Sequence, residues 1–129
     1  MNKTKRKIFE TSMRLFAEKG YDATSIEEIT ATVGVAKGTL YYHFSSKEEI
    51  FEFLVEEGVK LLKNSISIKT DKMQNSVDKL RAITLIQIKV LFKYENFITI
   101  ILSQIWGNDE KSKLCKKYVF EYIQMIEEI

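Results

Sequence analysis

Apolar residues recur at helical spacing along almost the whole chain. Positions three and four apart lie on one face of an α-helix, so each such run predicts one amphipathic helix. The sequence therefore predicts an all-α fold with seven helices, at about residues 5–19, 25–33, 36–43, 47 to the late sixties, 76–93, 96–106 and 109 to the final Ile129.

The predicted buried stripes follow from the same spacing. The first helix presents Phe9, Met13 and Phe16, flanked by Ile8 and Leu15. Helices four and five present longer stripes, and the sixth helix is apolar nearly all round, so we expect it to be the most buried and to be covered by helices four, five and seven. The stripes of helices four and five are Ile50, Phe51, Leu54, Gly58, Leu61 and Leu62, and Leu80, Thr84, Ile88 and Leu91.

Polar residues mark the predicted helix ends. Ser25 with Glu28, and Ser46 with Glu49, have the spacing of a capping box, in which the serine oxygen and the glutamate each bind a free backbone N–H. Gly34 suits the left-handed residue that ends a helix. The polar segment 67–74 is the predicted joint between helices four and five.

Composition and charge narrow the class of protein. The chain has no proline and a single cysteine, Cys115, so long helices meet few breakers and no intrachain disulfide can form. No secretory leader is evident, and the most apolar stretch, 97–106, is too short to cross a membrane, so we expect a cytoplasmic protein without a membrane segment. Residues 1–47 carry eight basic and five acidic side chains, a net charge of +3, whereas the remainder has twelve and thirteen, a net charge of −1.

The segment 24–47 predicts a helix-turn-helix. It has the pattern helix, glycine turn, helix, in which the second helix enters the DNA major groove. With Leu40 and Phe44 assigned to the core, its second helix exposes a row of polar and aromatic positions. These are Lys37, Gly38, Thr39, Tyr41, Tyr42 and His43. We expect Thr24, Ser25 and Lys47 to hold DNA phosphates beside them. Packing against the first helix is the alternative for one of the two tyrosines, and a solvated helix end is the alternative for His43.

Two phrases of the sequence, AEKGYDATSIEEI and VGVAKGTLYYHFSSKEEI, resemble the tetracycline-repressor (TetR) family of bacterial regulators. The resemblance covers about residues 5–55. It implies a DNA-binding domain at 1–46, with the helix-turn-helix at about 25–44, and a helical ligand-binding and dimerisation region at 47–129. It further implies groove contacts from Lys37, Thr39, Tyr41 and His43, and phosphate contacts from Thr24, Tyr42 and Lys47.

The family resemblance also implies a function. We expect a ligand-responsive repressor that binds a palindromic DNA operator as a homodimer. It releases the operator when a small apolar or amphipathic effector enters the helical region 47–129. Ala36 stands where the family often has a serine or threonine cap. Family members usually continue through two further helices that build most of the dimer interface. We expect this chain to lack them, either because it is a fragment or because it pairs by another surface. The alternative is therefore a truncated helical protein-interaction module that binds DNA weakly.

Candidate chemistry in the second half of the chain is limited. Large side chains that could line an effector pocket are Phe92, Phe97, Trp106, Tyr118 and Tyr122, although such residues are more often core. The lysines at 111, 113, 116 and 117 are expected to form a solvated helix face. With His43 and Cys115 as the only residues of their types, no catalytic dyad or zinc set can be assembled, so we expect no enzyme activity, cofactor or metal.

Overall fold

The computed structural model describes residues 2–128. Within that range the backbone forms seven helices and no strand, which confirms the all-α prediction. The predicted continuation of the last helix to Ile129 lies outside the described residues. The helices are α1 (Lys3–Lys19), α2 (Ile26–Val33), α3 (Lys37–His43), α4 (Lys47–Thr70), α5 (Ser76–Lys93), α6 (Glu95–Gln104) and α7 (Glu110–Glu127).

The predicted caps set the helix ends. The Ser25 hydroxyl accepts from the Glu28 backbone N–H at 3.0 Å, and the Ser46 hydroxyl accepts from that of Glu49 at 3.1 Å. The return contacts of the two boxes differ from the prediction. Glu28 forms an ion pair with Lys19 of α1, and Glu49 accepts from the backbone N–H of Ser45 at 2.9 Å. Each glutamate therefore links its helix to a neighbouring segment instead of closing the cap on its own serine.

Helices α1 to α3, called the head below, pack around a small core, and α4 to α7 are called the body. Ile8, Ile29 and Leu40 have no exposed surface, and Phe44 is 1% exposed. The stripe predicted for α1 was only partly right, because Phe9 and Met13 are half-buried while Ile8 and Leu15 are buried. The physical reason is that α1 packs both against α2 and α3 within the head and against α4 and α6.

The long helix α4 connects head and body, and its packing against α6 depends on Gly58. Phe97 of α6, 5% exposed, lies so close to Gly58 that a Cβ at that position would be 2.7 Å from the Phe97 Cδ2 and closer still to Cε2 and Cζ. A side chain at position 58 would therefore push the two helices apart. Leu61, predicted to be in the same stripe, is instead half-exposed.

Helix α5 is apolar on two opposite faces, and the sequence prediction chose the wrong one. Ile83 and Ile86 are buried, each 6% exposed, whereas Leu80, Ile88 and Leu91 are 66%, 47% and 54% exposed. The inner face forms a small second core with Ile66 of α4. The outer face is not covered by any other helix among residues 2–128.

The sequence predicted that helix α6 would be covered on every side, and this prediction is wrong. Phe97, Ile100 and Ile101 are buried, but Leu102 is 56% exposed. The covering helices also differ from the prediction, because α1 of the head packs closely on α6. The body is thus joined to the head by a second contact besides the continuous helix α4.

Candidate nucleic-acid interface and ligand cleft

The turn between α2 and α3 is made by Gly34. Its φ of 86° and ψ of 34° place it in the left-handed region, and its N–H donates to the Thr30 carbonyl oxygen at 2.8 Å. The next N–H, that of Val35, donates to the same carbonyl at 3.1 Å. Glycine enters this region without the steric cost of a Cβ, so this residue fixes the angle at which α3 leaves α2.

Helix α3 has one buried and one exposed side. Leu40 and Phe44 are in the head core, as predicted, whereas Tyr41 is 45% and Tyr42 84% exposed. The rings of Tyr42 and His43 meet edge to face, with centroids 5.0 Å apart. Neither tyrosine is buried against α1, so the exposed side keeps both aromatic tips available to a ligand.

The start of α3 leaves room for close approach. Ala36 caps the helix without a side-chain hydrogen bond, as its residue type predicted. Gly38 is exposed, and a Cβ placed on it would have no neighbour within 4 Å. Gly38 is therefore not needed for packing within the described chain.

Lys37 is not a free cation. Its ammonium pairs with Glu27 of α2, and both side chains are more than half exposed. The hydrogen bond to Lys37 lowers the pKa of Glu27, and the same bond raises the pKa of Lys37. A DNA phosphate that binds Lys37 must therefore compete with this carboxylate.

Thr24 lies inside the head. It is 1% exposed, and its hydroxyl donates to the carbonyl oxygens of Gly20 at 2.8 Å and Leu15 at 3.3 Å. Its N–H donates to the Tyr21 carbonyl at 3.2 Å. A phosphate contact through the Thr24 hydroxyl, expected from the family resemblance, does not fit this arrangement, because the group is buried and already donates its proton. Ser25 is exposed, and its hydroxyl caps α2.

Lys47 lies next to Thr24 and binds the turn between α1 and α2. Its Nζ donates to the carbonyl oxygens of Tyr21 at 2.8 Å and Thr24 at 3.0 Å, and it lies 4.1 Å from the Tyr21 ring centroid. An ammonium group has three donors, so one N–H is left for another acceptor. The structure thus brings Thr24 and Lys47 together, and it gives Lys47 a structural role that the sequence did not predict.

Tyr21 is the contact between head and body that sequence reasoning missed. It is 5% exposed and packs on Phe16 and Phe51, at centroid distances of 5.2 Å and 5.4 Å. On the body side, Lys111 of α7 places its Nζ 4.5 Å from the Tyr21 ring centroid. Burial, followed by the charge of Glu48, raises the pKa of Tyr21. The expectation that Lys111 belongs to a solvated face was wrong, since its side chain is only 22% exposed.

The residues predicted to line an effector pocket do not come together. Phe92 is 83% and Trp106 86% exposed, so neither lines a pocket in this structure. The reason is that α5 presents Phe92 on its outer face, and Trp106 follows the end of α6. The Tyr118 hydroxyl donates to the Glu56 carboxylate at 2.9 Å, and burial, followed by this bond, raises the pKa of Tyr118 to about 12.

The two remaining predicted pocket residues lie at two different hollows. Tyr122 lines an open cleft of about 250 Å³ between α4, α5, α6 and α7, and its hydroxyl accepts from Gln87 Nε2 at 3.3 Å. Phe97 instead lines an apolar cavity of about 80 Å³ between α1, α4 and α6. The five residues thus do not form one pocket, and the walls of both hollows include α4 and, for the smaller one, α1 of the head.

The described residues offer little other chemistry. From Asn2 to Glu128, no group of three or more histidine, cysteine or acidic side chains could hold a metal ion. Over the same residues, no helix combines the length and apolarity needed to span a bilayer.

Comparison with known proteins identifies the head. Residues 8–54 match the family model described as bacterial regulatory proteins, tetR family. The biofilm operon negative transcriptional regulator IcaR of Staphylococcus aureus is 41% identical over 76 residues, which are 59% of this chain and 41% of that protein. The chain therefore spans less than half the length of this curated relative.

Solved structures extend the likeness to the body. A Clostridium perfringens protein named for regulation of fatty acid metabolism is 32% identical, with a TM-score of 0.87 over 95% of this chain and 66% of its own. AibR, solved in complex with isovaleryl coenzyme A and operator DNA, is 26% identical, with a TM-score of 0.80 over 98% of this chain and 69% of its own. The helix order, the helix-turn-helix and these likenesses agree, and the chain belongs to the TetR family of bacterial regulatory proteins.

Proposed function

We propose that this chain acts as a ligand-responsive transcriptional repressor that binds a palindromic DNA operator as a homodimer. One observation carries the proposal. Leu40 of α3 and Phe44 at its end lie in the core, whereas Tyr41 and Tyr42 are exposed. Thr39 and His43 are half-buried beside them. Such a helix, placed after a fixed turn, is what a helix-turn-helix protein inserts into the major groove.

The proposed contacts divide by role. Lys37, Thr39, Tyr41 and His43 read base edges in the groove, and Gly38 allows the backbone to approach. Tyr42, Lys47 and the N-terminus of α2 at Ser25 bind phosphates, Lys47 through the N–H that its two carbonyl partners leave free. We propose that Thr24 contributes by holding the head in shape, because its hydroxyl donates inward.

The test is the salt dependence of binding to a labelled duplex obtained by selection from random DNA. Each neutralised phosphate contributes a slope of about −0.9 in log K against log salt, so a measurably negative slope is expected. Lys47→Gln should weaken selected and scrambled DNA alike, whereas Thr39→Ala should change the preferred sequence. Lys113→Gln is the matched control, because it removes one positive charge from a 67% exposed side chain of α7, outside the helix-turn-helix. A slope near zero contradicts the proposal.

The homodimer follows from the geometry of operator binding. Two heads must reach successive major grooves, whose half-sites are about 34–36 Å apart or at multiples of that distance. Analytical ultracentrifugation with and without the selected duplex measures the stoichiometry. Two chains per palindrome support the proposal, and one chain on a single half-site contradicts it.

We propose an amphipathic effector with an aliphatic part. The support is the cleft lined by Val90, Ile98 and Tyr122, with Gln87 beside the tyrosine as a polar partner. The names of two structural relatives, which refer to fatty acid metabolism and isovaleryl coenzyme A, point to the same class of molecule. An apolar cleft with few polar groups is the usual form of such a site. No catalytic step is part of this function, and the effector acts by a population shift between head arrangements.

A protein-interaction module is the second candidate. The outer face of α5, with Leu80, Ile88 and Leu91 exposed, favours it, because apolar patches of this kind mark interaction surfaces. The two candidates differ in the salt experiment above. An interaction module would bind selected and scrambled DNA equally weakly, whereas the repressor prefers the selected duplex.

A further inference from the structure

Leu62 of α4 separates the two hollows of the body. One hollow is the apolar cavity of about 80 Å³ between α1, α4 and α6, and the other is the cleft of about 250 Å³ between α4, α5, α6 and α7. Leu62 is the one residue that lines both. Its half-buried side chain therefore lies between the cleft and the apolar cavity that touches the head.

The two hollows have different chemistry. The cleft contains a polar pair, Gln87 and Tyr122, joined by a hydrogen bond of 3.3 Å, which can accept the polar end of a ligand. The cavity is lined by carbon-rich side chains, among them Phe9, Met13 and Phe97. Apolar walls of this kind offer water few hydrogen-bond partners and therefore favour a hydrocarbon ligand.

We propose that a straight aliphatic chain enters through the cleft, displaces the Leu62 side chain and places its terminal carbons in the cavity against α1. This inference rests on the ligand-responsive function proposed above, and it specifies the class and length of the effector. A cavity of ~150 Å³ lined by apolar side chains accepts benzene, so about 80 Å³ suits roughly the last three carbons of a chain.

The cavity walls determine which element yields to such a chain. Phe97 lies against the backbone of Gly58, closer than any side chain at position 58 would permit, so its ring has no room to retreat toward α4. Met13 and Phe9 form the opposite wall, and methionine is the most adaptable apolar side chain. The displacement therefore falls on α1, which also supplies Ile8 and Phe16 to the head core.

A length threshold follows. Short chains occupy the cleft and stop at Leu62, so they bind without moving the head. Longer chains pass Leu62 and press on α1, so they bind and release DNA. Affinity should rise about fourfold for each methylene buried, from ~0.8 kcal/mol per methylene. DNA release should begin only at the length that reaches the cavity.

The experiment titrates the full chain with saturated fatty acids from butanoate to hexadecanoate. Calorimetry gives the affinity, and fluorescence anisotropy of the selected duplex gives DNA release. A long fatty acid that carries an isotope label on its terminal methyl locates the chain end by NMR. The expected result is a cross-peak from that methyl to the Met13 methyl, together with a threshold in DNA release.

Three variants sharpen the test. Leu62→Phe should block the passage, so that long acids bind no more tightly than short ones and no longer release DNA. Met13→Phe should fill the cavity from the α1 side with the same effect, and it serves if Leu62→Phe does not fold. Leu102→Phe, on the exposed part of α6, is the matched control and should change neither quantity.

Each outcome decides a different point. A terminal methyl that contacts Ile98 or Tyr122 but never Met13, with DNA release at all chain lengths, overturns the route past Leu62 and leaves the proposed repressor intact. If no fatty acid binds while DNA still binds, both this inference and the proposed effector class are wrong. If DNA does not bind, the repressor function fails, and the NMR contact still decides whether the chain reaches the cavity.

Discussion

Gly58→Ala tests whether the close contact between α4 and α6 determines the stability of the body. The new Cβ would lie 2.7 Å from the Phe97 Cδ2 and closer still to Cε2 and Cζ, whereas carbon atoms in favourable contact are about 3.5–4.0 Å apart. The ring is 5% exposed and cannot leave without moving its neighbours. Overpacking of this kind costs about 1–3 kcal/mol.

A gain in helix propensity opposes that cost. Alanine in a helix interior is favoured over glycine by about 1 kcal/mol. We therefore expect Gly58→Ala to lower the free energy of unfolding by about 1 kcal/mol net. For a domain of this size the melting temperature should fall by about 3–5 °C.

The assay is equilibrium urea unfolding followed by circular dichroism. Gly38→Ala is the matched control, since a Cβ there has no neighbour within 4 Å, and it should leave stability unchanged or raise it by up to about 1 kcal/mol. In the double variant Gly58→Ala, Phe97→Leu, the smaller side chain should recover part of the loss, which a double-mutant cycle measures as coupling. If Gly58→Ala is as stable as Gly38→Ala, the reasoning from the Phe97 contact is refuted.

Three further predictions concern single groups. Glu27→Gln should strengthen DNA binding, because it removes a negative charge and frees Lys37 from its ion pair. Fluorescence anisotropy of a labelled duplex at low salt measures the affinity, and unchanged or weaker binding contradicts the prediction. Lys47→Met should lower head stability by about 1 kcal/mol, because two charge-assisted bonds to the carbonyls of Tyr21 and Thr24 are lost, and the effect is discounted for partial exposure; an unchanged urea midpoint would show that the tether is unimportant. Burial raises the pKa of the Cys115 thiol from its ordinary value of 9.0 to about 11. The thiol should therefore resist alkylation at neutral pH until the chain unfolds. The free energy of unfolding should fall as the pH rises from about 9 to 11, because the thiol of the unfolded chain loses its proton first. Rapid alkylation of the native protein would contradict the buried position.

The head could be predicted from the sequence because its signals are local. Ser25 caps α2 by bonding an N–H three residues away, and Gly34 ends it with a left-handed backbone. Leu40 and Phe44 are four residues apart, a spacing that favours a common face of one helical turn. Each of these signals acts within four residues, so tertiary packing had little scope to override it.

The body could be predicted less well because its helices are apolar on more than one face. In α5 the sequence analysis predicted the stripe with Leu80 and Ile88, whereas the packing against α4 and α7 makes Ile83 and Ile86 the core. Periodicity gives the spacing of a stripe but not its partner. The prediction of the pocket residues was wrong for the same reason, since Phe92 lies on the face of α5 that is exposed to solvent.

The position of Lys47 shows why a residue pattern does not settle a residue's role. The family resemblance assigns it a phosphate, yet its Nζ also binds the carbonyls of Tyr21 and Thr24, next to the Tyr21 ring that Lys111 approaches from the body. The head is therefore joined to the body through α4, through the packing of α1 on α6 and through this lysine pair around one buried tyrosine. A head held at three places cannot swing freely about α4. An effector must then act by shifting one of these contacts relative to the others, and α1 is the helix that both packs on α6 and supplies a wall of the apolar cavity.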